Sequence, residues 1–169
     1  MSTEVEKQLV SWVEEALEAR HGEYGDPDGR VSLPAYELGQ PAAIDMLGRV
    51  RQRLDRVEEL QSMARRAKGR VMRMREEAEF EASLKYDEAM ATGAKRYQEY
   101  ALGDEKRADA SLASLTERRQ AHAMKRAESF ATEALDVVTQ CYWGLEKLRE
   151  DIIQMVRLTT YLTSEEVQT

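Results

Sequence analysis

The sharpest local chemistry in this 169-residue sequence is a basic run. Arg65, Arg66, Lys68, Arg70, Arg73 and Arg75 place six positive charges between residues 60 and 75, with no acid among them. Such a face would contact phosphates and give salt-sensitive, sequence-independent nucleic-acid binding. The plainer alternative is a solvated helix face, neutralised by Glu76, Glu77, Glu79 and Glu81 and by a facing helix. Alternating sign blocks are ordinary in paired helices. The net charge of −7 weighs towards the plainer alternative.

Three further constellations invite a chemical reading. Glu18-Ala-Arg-His21 has the Glu-x-x-His spacing of di-iron bundles, but such a centre needs a second copy and further inward glutamates. The only other histidine, His122, follows Arg119 by three residues. Glu14, Glu15 and Glu18, with Glu146, Glu150 and Asp151, would be the carboxylates of a Mg²⁺-dependent all-α nucleotide hydrolase. The last three are scattered around their helix among Lys147 and Arg149, so they do not converge. Cys141 is the only cysteine. It has no histidine near it in sequence and reads as a buried, inert thiol. Glycine-rich phosphate loops, Gly-x-Ser-x-Gly and Cys-x-x-Cys are absent. The sequence therefore predicts no catalytic residue, metal, cofactor or small-molecule substrate.

Whatever those residues do, helices must position them. Of the residues, 34% are charged, only 7% are aromatic, and there are 3 prolines. That composition suits long helices. A first helix is expected over 4–20, with Thr3 and Glu6 as a capping box and Val5, Leu9, Trp12, Val13, Ala16 and Leu17 on one face. Residues 21–41 hold every proline (Pro27, Pro34, Pro41) and read as a linker. Pro41 suits the first position of a second helix. The best later break is Leu102-Gly103-Asp104, which gives helices over 42–101 and 104–163 and a tail over 164–169. Thr92-Gly93 is the competing turn.

The last helix carries the cleanest pattern. Ala127, Ala131, Ala134, Val138, Cys141, Leu145, Leu148, Ile152, Met155, Thr159 and Leu162 alternate spacings of 4 and 3. That repeat predicts a left-handed coiled-coil seam. Leu47, Val50, Leu54, Val57, Leu60, Ala64, Ala67, Val71, Met74 and Ala78 form its counterpart, with one slip at Val57–Leu60. Folding back at 103 sets residue i against roughly 205 − i. The basic run then faces Glu133 and Asp136, and the acidic run 76–88 faces Arg118, Arg119, Lys125 and Arg126. The fold class expected is all-α: a long antiparallel helical hairpin plus a short N-terminal helix, forming a helical-bundle oligomer.

The oligomer follows from excess grease. With Leu145 at heptad position a, Tyr142 and Val156 fall at e and Phe130 at g. Trp143 falls at f and Ile153 at b, which a lone hairpin leaves in water. The expected assembly surface is Phe130, Val138, Tyr142, Trp143, Leu145, Leu148, Ile152, Ile153, Met155 and Val156. Tyr86, Tyr97 and Tyr100 cluster towards the turn, as core filling or as a docking end.

The charge is uneven. Residues 1–40 carry −6, whereas 42–102 carry +2 and 103–163 carry −1. The acidic N-terminal arm would be an adjustable contact region. MSTEVEKQ lacks a basic start followed by an apolar stretch, no apolar run approaches a membrane span, and one cysteine suits a reducing compartment. A cytoplasmic setting is expected. Arg outnumbers Lys 18 to 7, a bias that fits a bacterium or its phage. The function expected is that of a non-enzymatic coiled-coil adaptor working by self-association and protein docking. The alternative is a nucleic-acid accessory factor acting through Arg65–Arg75.

Overall fold

Long stretches rich in Ala, Leu, Arg and Glu and free of proline should propagate as helix once a partner face is available. The computed structural model describes residues 2–21, 40–96 and 103–166, and all of these except Ser114 are helical. The fold is all-α. Its elements are α1 (Ser2–His21), α2 (Gln40–Arg96), α3 (Gly103–Ala113) and α4 (Leu115–Glu166). No described helix is long and apolar enough to cross a membrane.

The helix ends follow local chemistry. α1 starts two residues ahead of the position that the Thr3–Glu6 box predicts, and it ends with Arg20 and His21 at the negative pole of its dipole. Pro41 is the second residue of α2, where its missing N–H costs nothing. α2 passes through Gly93 without a break, and α3 begins at Gly103 with Asp104 and Glu105 in its first turn. The 22–39 linker, Tyr97, Tyr100 and the last three residues lie outside the described residues.

Ser114 marks an interruption that no sequence signal gave. Its N–H and its hydroxyl both donate to the Ala110 carbonyl, at 3.1 and 3.0 Å, and its own carbonyl accepts from Arg118 N–H at 3.0 Å. A serine that bonds back one turn bends a helix without ending it.

The chain divides into two compact units. The first comprises Met1–Glu6 and Arg66–Glu133, the second Lys7–Arg65 and Ala134–Thr169. In the first, the buried face is mostly alanine: Ala67, Ala78 and Ala82 on α2, Ala110 on α3, and Ala127 and Ala131 on α4, with Val71 and Met124. Its cross-helix contacts join Arg75 to Glu128, Lys85 to Glu117, and Tyr86 to Arg118. From Arg75 to Lys85 and Tyr86 the α4 partner falls from Glu128 to Glu117 and Arg118, and each pair sums to 202–204.

The second unit has the larger side chains. Met46, Val50, Leu54, Val57 and Leu60 of α2 pack with Val138, Cys141, Leu145, Leu148 and Ile152 of α4, and Ala16, Trp12, Val13 and Leu17 of α1 join them. From Ala127 to Ile152, every residue of the 4-and-3 ladder on α4 is buried. Where α2 slips register, Leu60 and Gln61 are both buried, and Gln61 Nε2 donates to Thr139 Oγ1 at 2.9 Å. That pair sums to 200, against the 205 expected.

Candidate interaction surface

α1 occupies one side of the second unit. Arg56 on α2 holds Glu15 of α1 through two bonds, Nε to Oε1 at 2.5 Å and a terminal nitrogen to Oε2 at 3.0 Å. Arg56 also pairs with Glu59. These hydrogen bonds, Glu15 foremost, hold the guanidinium's pKa above its ordinary value. Further along, Arg20 of α1 lies against Gly144 of α4, and a Cβ built there would meet Arg20 Nε at 3.1 Å. Cys141 is close by. Burial raises its thiol pKa and Arg20 offsets only part of that, so the thiol stays protonated and inert at neutral pH.

The far side of α2 and α4 is open. Two residues beyond Arg56 and Gly144, about 200° around each helix, come Glu58 and Glu146. Both line a groove of about 520 Å³. On α2 the groove also takes in Leu47, Arg51, Leu54 and Asp55. On α4 it takes in Tyr142, Arg149 and Ile153. Glu146 accepts from the Tyr142 hydroxyl at 3.3 Å and pairs with Arg149 at 2.9 Å. Burial, followed by the Glu146 charge, pushes the Tyr142 pKa up, so the phenol remains a neutral donor. Trp143 is 65% exposed and meets Tyr142 edge-on, with ring centroids 5.6 Å apart.

No family model, curated protein or solved structure matches this chain. The surface must be read from its own geometry.

Of the ten residues expected to drive assembly, Val138, Leu145, Leu148 and Ile152 are consumed by the core of one chain. They leave nothing for a partner to touch. Phe130, Tyr142, Ile153, Met155 and Val156 are half-buried, and Trp143 is the one that stands mostly in solvent. The groove gathers Tyr142 and Ile153 from that set. Its α2 wall was not foreseen as a surface. Folding back at 103 sets Tyr142 and Ile153 against the region around residues 52–63, so the pairing rule held that signal.

The basic run is unevenly exposed. Arg75 is tied to Glu128 at 2.6 Å and to Glu79 at 3.6 Å, and Lys68 is half-buried. Arg65, Arg66, Arg70 and Arg73 are exposed. Arg66, Arg70 and Arg73 share one stripe of α2, at i, i+4 and i+7. On the first unit, a second groove of about 390 Å³ is lined by Glu79, Ser83, Tyr86, Arg118, His122 and Lys125, and Arg118 sits 5.1 Å above the Tyr86 ring. Among the described residues, no three His, Cys, Asp or Glu side chains are grouped to hold a metal ion. Glu15 and Glu146 are instead engaged by Arg56 and Arg149.

Proposed function

We propose that this protein is a non-enzymatic coiled-coil scaffold, an antiparallel hairpin that works by self-association and by docking a protein partner, in a cytoplasmic setting. The observation that carries the reading is the open groove opposite α1, in which the half-buried Leu47, Tyr142 and Ile153 lie among the charged Arg51, Asp55, Glu58, Glu146 and Arg149, with the exposed Trp143 against Tyr142. An exposed indole next to half-buried apolar residues is the kind of surface that another helix covers. The α2–α4 contacts of the first unit and the buried 4-and-3 ladder support the hairpin and the coiled coil.

Sedimentation across micromolar concentrations tests it. The apparent mass should rise above the 19.4 kDa of one chain, and Trp143→Ala and Ile153→Asp should suppress the rise while helicity stays. An unchanging monomer overturns the proposal. The competing reading is a nucleic-acid accessory factor, favoured by the exposed stripe of Arg66, Arg70 and Arg73. Salt-steep binding to single-stranded DNA, abolished by reversing those three charges without unfolding, would move the function there.

A further inference from the structure

A groove between two helices admits many partners, and charge order along its walls narrows them. A symmetric dimer about a two-fold axis requires each wall to complement its own reversal. The α4 wall reads Tyr142, Glu146, Arg149, Ile153. Reversed about the point midway between Glu146 and Arg149, it sets Glu146 against Arg149 of a second copy, and Tyr142 against Ile153. The α2 wall matches in part. Reversed about the point between Leu54 and Asp55, it sets Arg51 against Glu58 and Leu54 against Asp55, while Leu47 falls opposite Ser62, outside the groove. These two midpoints stand at one level of the unit. Their numbers sum to 202, and the pair that fixes the local register, Gln61 with Thr139, sums to 200. One axis therefore serves both walls.

We infer that the groove's occupant is a second copy of this chain, docked about a two-fold axis perpendicular to the helices at the level of residues 54–55 and 147–148, so that α2 lies on α2 and α4 on α4, each antiparallel. The inference rests on the self-association proposed above and fixes its geometry. The rival arrangements conflict with the same charges. A parallel pairing sets Glu146 against Glu146 and Arg149 against Arg149. A two-fold axis along the helices stacks α2 on α4 of the second copy, and at a sum near 200 it sets Arg51 against Arg149 and Asp55 against Glu146. Like charges brought together at an interface select against both. In the perpendicular arrangement, the half-buried Tyr142 and Ile153 of the two copies meet and lose contact with water.

Cysteine pairing separates these geometries. In the full chain carrying Cys141→Ala, Tyr142→Cys and Ile153→Cys are prepared as single variants, with circular dichroism checking that each folds. After mild oxidation, the mixture of the two should yield at least tenfold more disulfide-linked dimer than either alone, because residue 142 meets residue 153. Arg51→Cys mixed with Glu58→Cys gives a second reading on the other wall and serves if the first pair disturbs folding. A chain that associates in sedimentation but crosslinks best within each single variant, or not at all in either mixture, overturns the antiparallel geometry and leaves self-association standing. A chain that sediments as a monomer throughout overturns both.

Discussion

Lys85 and Glu117 show how much a single pairing can carry in an alanine-rich interface. Glu117 is buried at the side of α4, one oxygen takes the Lys85 ammonium, and Oε2 has no hydrogen-bond partner among the described residues. The Lys85 hydrogen bond, with a backbone bond second, holds the carboxyl pKa below its ordinary 4.5. A depressed folded-state pKa means that the pair's stability is complete above 4.5 and is lost as pH falls through the folded value. Lys85→Met should therefore lower the melting temperature at pH 7, and it should lower it more than Lys85→Met combined with Glu117→Gln, which removes the stranded charge. As pH falls through the folded carboxyl's lowered pKa, the penalty of the single variant should shrink; an unchanged penalty at acid pH would mean that the carboxylate is not the cause. Leu148→Asp belongs to the same scale. It buries a charge among Leu145, Ile152 and the α2 wall, and a melt should show a loss of several kcal/mol, roughly 3–5. The apolar ladder was legible because periodicity reports it directly. Gln61 and Glu117 were not, because a polar residue in a helical pattern reads as outward-facing unless its partner on the other helix is known.

Helix identity was readable at the level of whole elements, and helix interruptions less so. Proline exclusion, glycine positions and the 4-and-3 spacing placed all the long helical stretches, whereas Ser114 has no proline or glycine beside it and keeps its i→i−4 bonds. Glycine was an ambiguous guide. Thr92-Gly93 reads as a competing turn, yet Gly93 lies within α2, because helix propensity over the flanking Ala, Met, Lys and Arg outweighs one residue's cost of about 1 kcal/mol. Interior glycines therefore mark places where stability can be added. A Cβ at Gly48 or Gly69 meets nothing within 4 Å. Gly69→Ala should raise stability by about 0.5–1 kcal/mol, seen as a higher melting temperature. Gly144→Ala should gain less, since Arg20 must shift to admit the methyl. If it gains as much as Gly69→Ala, the Arg20 contact holds nothing in place.

The units differ most at the scale of the whole molecule. The first is closed mainly by Ala67, Ala78, Ala82, Ala127 and Ala131, the second by Met46, Leu54, Leu60, Leu145 and Ile152. Each large side chain buries three or so more carbons than alanine, worth roughly 0.8 kcal/mol per carbon. Backbone amides at 67–82 and 124–131 should therefore exchange with deuterium earlier than those at 46–60 and 138–152. Concentration then distinguishes local stability from assembly. If association covers the groove of the second unit, it stabilises that unit by mass action and leaves the first unit's local openings untouched. Raising the protein from low to high micromolar should slow exchange at 46–60 and 138–152 several-fold while 67–82 changes little. Equal slowing in both units would place the interface outside the groove or extend it along the whole chain. No slowing in either would mean that the exposed Trp143 edge is not a self-association surface, and the stripe of Arg66, Arg70 and Arg73 would become the first place to look for what this chain binds.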